Sequence, residues 1–208
     1  MIRKIVFVVA LIAIAMVPDA VAEARFELTP FVGYRFGGNF DDVQDPSRTI
    51  SSVDISDSGT YGLLFDINMG ESAQIELSWS RQDTDLTAKL ISGPREDLSD
   101  STVEYWHVGG NWLFGDSYDK GRGFVNFSLG ATHISPEDFS SETQFSFGFG
   151  GGVKYYFSEV IGVRLQGRLL STYINSSAEW WCAYGCWAVE TGNYLFQVEV
   201  DAGLIFRF

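Results

Sequence analysis

The chain has 208 residues, 46% of them hydrophobic, which suits one globular domain and excludes a disordered segment or a polytopic helical membrane protein. Lys and Arg total 14 against 27 Asp and Glu, a formal net charge of -13, so the cationic footprint that nucleic acid requires is missing. The 22 Gly and the 15% aromatic content stand out, beside only 2 Cys.

The first segment reads as an address. Arg3 and Lys4 precede an uninterrupted apolar run over 5–17, and Ala20-Val21-Ala22 supplies small residues around a cleavage site. The run is too short to span a bilayer as a helix and has the layout of a secretory signal peptide, 1–22, with cleavage expected after Ala22. The mature chain is then 23–208, with 12 basic and 26 acidic residues.

From there almost every segment alternates with period two, the signature of strands. The alternation predicts eight, over 26–36, 60–69, 73–83, 102–114, 123–134, 143–157, 160–173 and 194–208. Connections of 37–59, 84–101, 135–142 and 174–193 are long, and those of 70–72, 115–122 and 158–159 are short. An up-and-down barrel in the outer membrane places short turns in the periplasm and long loops outside, which leaves both termini periplasmic.

Side-chain parity sharpens this reading. One register collects Val32, Tyr34, Leu77, Trp79, Trp106, Val108, Phe127, Leu129, Phe147, Phe149, Leu165, Phe196 and Val198. Its ionisable members, Arg81, Glu104 and His133, are expected near strand ends, since a charge at mid-bilayer costs about 2–4 kcal/mol. The opposite register is polar and Gly-rich. It holds Arg35, Lys154, Arg164, Arg168 and Arg207 against Asp66, Glu76, Glu199 and Asp201, with His107 among them. The rings exceed what an eight-stranded lumen can hold, so they are expected to face lipid, with the charges paired inside as a structural plug.

The last residues read Asp201-Ala-Gly203-Leu-Ile-Phe206-Arg-Phe208. They resemble the C-terminal assembly signal of outer-membrane barrels, which implies recognition of Asp201, Gly203, Phe206 and Phe208 by the barrel-assembly machinery. Together with residues 130–136, 145–157 and 163–168, this end resembles the outer-membrane protein β-barrel domain family, related to OmpA- and OmpX-type small barrels. The resemblance implies a Gram-negative outer-membrane location, contact with lipid and lipopolysaccharide, and little about activity.

Three features are weighed as sites. Cys182 and Cys186, among Trp180, Trp181 and Trp187, favour a disulfide-closed loop tip in an exported chain, with an exposed aromatic contact surface as the sharper alternative. His133-x-Ser135 resembles the motif of outer-membrane lipid A deacylases, with Glu137 or Glu142 as the third member of a nucleophile–base–acid set, although Pro136 follows the serine. Acidic loop residues such as Asp41, Asp42, Asp54, Asp57, Glu96 and Asp97 read first as solvated charge, and second as oxygen ligands for Ca²⁺ or Mg²⁺ shared with lipopolysaccharide phosphates.

The expectation is therefore an all-β, eight-stranded antiparallel transmembrane barrel. It should be monomeric, with no cofactor and no resident metal, and serve a structural or surface-interaction role with a possible extracellular ligand at its loops. A lipid A-modifying hydrolase and a small channel stand as alternatives.

Overall fold

The computed structural model describes residues 25–40, 43–44, 50–90, 95–115, 120–137, 141–174, 181–182, 186–189 and 194–208. The expected leader, 1–22, lies outside the described residues. Eight long strands form the wall: β1 Phe26–Phe36, β2 Ser58–Asn68, β3 Ala73–Leu90, β4 Arg95–Phe114, β5 Gly121–Pro136, β6 Glu142–Tyr156, β7 Ile161–Tyr173 and β8 Tyr194–Arg207. Each pairs antiparallel with its sequence neighbour, and β1 also pairs with β8 in the register Arg35↔Glu199 and Leu28↔Phe206. The sheet is thus a closed eight-stranded barrel, which removes the open edges that lipid would not tolerate.

The eight strands match the expected count, but two are longer than their hydrophobic alternation. β3 and β4 continue through most of the expected loop 84–101, paired from Gln82↔Val103 to Lys89↔Arg95 with one shift of register between Leu86 and Thr87. A short strand, Ile50–Ile55, pairs with the outer part of β3, and Asn39–Phe40 pairs with it in turn. The reason this stretch reads as loop is a change of solvent. Its outward positions carry Asp83, Asp85 and Thr102 in place of rings, so the hydrophobic period fades while the backbone ladder continues.

The same change corrects the placement of Arg81 and Glu104. Arg81 and Glu104 sit in mid-strand, while His133 stays near the end of β5 as expected; they are aligned by Arg81↔Glu104 and Glu104↔His133, with Thr143 next in line. The row immediately below holds Trp79, Trp106, Ala131 and Phe145. Below this border the apolar side chains point outward: Trp106 is 56% exposed and Phe127 53%. Above it they point inward: Leu86, Val103 and Ile134 are buried. Three strands, β3, β4 and β5, thus invert their polarity at one level without any change of register there.

Two glycines show what tight geometry demands. Gly70, in the link between β2 and β3, has φ 129°, a region that favours glycine over any residue with a side chain. Gly152 on β6 has an ordinary backbone, yet a Cβ there would collide with the Leu165 carbonyl and the Gln166 backbone of β7. The wall curves so closely at this point that a side chain is excluded.

Candidate functional site

The lumen collects the buried charge. On the side of the short turns, the Lys154 ammonium donates to Glu27 Oε2 at 2.8 Å, Asp66 Oδ2 at 2.8 Å and Gln74 Oε1 at 2.7 Å. Arg164 donates to Asp66 at 3.1 Å and to Glu76 at 2.6 Å. Asn111 bridges the same two carboxylates, and Asn126 donates to Glu76 and to Asn111. Arg207, 26% exposed at the rim, lies 3.4 Å from Glu27. Towards the other end, Glu199 accepts from Arg35 at 2.5 Å and from Arg168, and Asp201 lies 3.8 Å from Arg168 Nε. Gln166 joins the two groups: its Oε1 accepts from Arg164 Nε at 2.7 Å and its Nε2 donates to Asp201 at 2.9 Å. Arg35, Glu76, Lys154, Arg164, Arg168, Glu199, Asp201 and Arg207 therefore belong to one side-chain network.

Sequence reasoning missed one charged member, Glu27. It lies an even number of residues from Arg35 on β1, so parity alone points it inward, where it is buried. It brings the acids (Glu27, Asp66, Glu76, Glu199, Asp201) level with the bases among these lumen residues. A low-dielectric interior favours such a balance, because an ion without its counterpart costs several kcal/mol.

The view of the inner register as simply polar needs correction. Phe31, Leu64, Leu113, Phe124 and Ile205 are also buried inside. Rings serve as platforms for cations: Arg164 stands 4.4 Å over Phe124, Arg35 4.7 Å over Tyr105 and Arg207 4.4 Å over Tyr156. A guanidinium stacked on a ring fills space and keeps its edges free for carboxylates. Further along, Ile55, Leu86, Val103, Ile134, Ile174 and Leu195 form an apolar layer, each no more than 3% exposed. The lumen is therefore filled twice, by a saturated ionic network and by a greasy layer nearer the long loops. His107 belongs to the filling, bonded to Ser128 at 3.1 Å and Ser146 at 2.8 Å.

The outer face holds the remaining sequence candidates. His133 Nδ1 is 2.8 Å from Thr143 Oγ1. Ser135 is opposite Thr102 on β4, one row above His133. Glu142 is opposite Ile134, so it alternates to the other face of β6 from Thr143, and the structure does not bring it to His133. The acid in register with His133 is Glu104, engaged with Arg81 at 3.6 Å. Arg81 also donates to Asp83 at 2.9 Å and to Thr102 at 3.2 Å. This row reads as a hydrated collar above the tryptophans.

At the other end Phe208 and Phe26 exchange backbone hydrogen bonds at 3.0 Å, with ring centroids 6.0 Å apart. Asp201 turns into the lumen, and Gly203 packs where a Cβ would meet Thr29 and Phe31. Phe206 and Phe208 lie on the outer wall beside the start of β1, so the terminal motif is the seam of the barrel. Among the described residues no group of His, Cys, Asp or Glu is arranged to hold a metal ion. Asp41 and Asp42 lie outside the described residues.

Among solved structures, OprG from Pseudomonas aeruginosa matches at TM-score 0.62 and 11% identity, over 89% of this chain and 96% of that one. Neisserial surface protein A matches at TM-score 0.56 and 12% identity, over 88% of this chain and 97% of that one. At such identities the likeness is one of fold. No curated protein matches the sequence. The model of the outer membrane protein beta-barrel domain matches residues 5–193, and with the closed barrel, its outward rings and its inward charges, this chain belongs to that family and to the outer membrane.

Proposed function

We propose that the chain is a sealed barrel whose work is done on its outer surface: it anchors in the outer membrane and holds an acidic β-structure above it for contact with lipopolysaccharide or an extracellular partner. The observation that carries this reading is the polarity inversion between Trp79 and Arg81, and between Trp106 and Glu104. It gives β3 and β4 a water-facing continuation that the membrane anchor itself does not need. Charge supports it. The segments 37–57, 81–104, 133–144 and 174–193 contain 16 Asp and Glu against 4 Lys and Arg, so nearly all of the negative excess lies at this end. The doubly filled lumen argues against bulk conduction, and the Asp201–Phe208 end supports recognition by the barrel-assembly machinery.

The test is reconstitution of the refolded chain in planar bilayers. No stable unitary conductance is expected. Steady openings would replace this reading with that of a small channel.

A further inference from the structure

The first and last long loops leave the barrel side by side, because β1 and β8 are paired. Within them the backbone builds a small sheet separate from the barrel. Trp181–Cys182 pairs antiparallel with Cys186–Val189, and this second strand pairs with Val43–Gln44 of the first loop. The register sets Cys182 opposite Cys186 and Trp181 opposite Trp187, then Ala188 opposite Gln44 and Val189 opposite Val43. Directly opposed residues in an antiparallel pair have Cα atoms about 4.5–5.5 Å apart, within the span of about 4.4–6.8 Å that a disulfide bridges.

We propose that Cys182 and Cys186 form a disulfide in the exported protein, and that this bond is a clasp fixing the last loop to the first. Each thiol gives up its proton and the two sulfurs join. The two electrons pass to a protein disulfide of the oxidising compartment, which is reduced to a dithiol. The reach of the clasp exceeds the loop that contains it. A strand of two residues such as Trp181–Cys182 is far too short to hold a hairpin by its own ladder. The cross-link therefore sets the register of Cys186–Val189, and that strand in turn supplies the partner of Val43–Gln44. Opening the bond frees the last loop and the Val43–Gln44 segment of the first, although both sulfurs lie in one. This follows from the topology and stands whether or not the loops engage a ligand.

The experiment uses the full chain in isolated outer membranes. Alkylation without reductant, followed by digestion and mass spectrometry, should return the peptide containing Cys182 and Cys186 unalkylated and lighter by two hydrogens. Alkylation of both residues overturns the bond. Limited proteolysis from outside, with and without reductant, then tests the clasp: cleavage within 37–57 and within 174–193 should rise together, by at least ~10-fold, as locally opened segments do. The double variant C182S/C186S should reproduce this without reductant, while the unboiled gel mobility of the barrel stays unchanged. Faster cleavage of the last loop alone, or of neither, overturns the clasp even where the bond is present.

Discussion

Lys154 on β6 reaches Glu27 on β1 across the lumen at 2.8 Å, with both side chains buried. The same ammonium serves Asp66 and Gln74, so one cation holds three acceptors together. Lys154→Met should leave two carboxylates without their nearest countercharge and destabilise the barrel by about 3–5 kcal/mol. Urea titration in detergent or lipid measures this. Adding Glu27→Gln to Lys154→Met should recover part of the loss, and a fully additive double variant would show that the two residues act independently.

The position of the membrane border is open to direct measurement. Leu129 faces outward one row below Ala131, and His133 one row above it. Leu129→Arg should cost about 2–4 kcal/mol, whereas His133→Arg should cost less than about 1 kcal/mol. Equal costs, read from refolding into vesicles, would displace the border.

Chemistry at His133 has an equally plain check. Its Nδ1 is committed to Thr143, and Glu142 lies on the other face of β6. Wild type, His133→Ala and Ser135→Ala should leave lipid A acylation the same, as seen by mass spectrometry of extracted lipopolysaccharide. Release of an acyl chain by wild type that either variant abolishes would establish the hydrolase alternative.

The apolar layer should matter for stability and little for permeability. Ile134→Ser with Leu195→Ser places two hydroxyls where Ile134 and Leu195 are sealed from solvent. The pair should lower stability by about 2–5 kcal/mol. Vesicle leak of small ions should stay near that of wild type, because the Arg35–Glu199–Arg168 bridge still blocks the lumen. A large leak would assign the seal to the apolar layer alone.

Gly152→Val tests the curvature of the wall. The added side chain meets the backbone of β7, which cannot rotate away as a side chain end can. Refolding yield should fall sharply, while Gly110→Val, whose Cβ would sit 3.5 Å from the Gln74 carbonyl, should be tolerated better.

Where the strands are immersed, the sequence announces them, because lipid outside and charge inside impose opposite demands on successive residues. Trp106 and His107, or Leu165 and Gln166, are legible from parity alone. Legibility ends where the solvent changes. Thr84, Asp85 and Thr87 continue a strand that water on its outer side deprives of a hydrophobic period, so the segment looks like loop. Glu27 was readable by parity but stands at the very start of β1, where a charge suggests a boundary. The rings under Arg35 and Arg164 were hidden for another reason: Tyr105 and Phe124 have the inward parity, but a search for polar partners passes over them. Only coordinates show that a cation in a narrow tube needs a flat neighbour as well as an anion.

The collar of Arg81, Glu104, His133 and Thr143 above Trp79, Trp106 and Phe145 also governs how the protein floats. Sinking by a single pair of residues, about 6–7 Å along a strand, would submerge that whole ring of hydrophilic groups in one step. Rising by as much would lift the indoles clear of the acyl chains. The molecule therefore carries its own waterline on one flank, which holds its upper sheet at a constant height above the lipid.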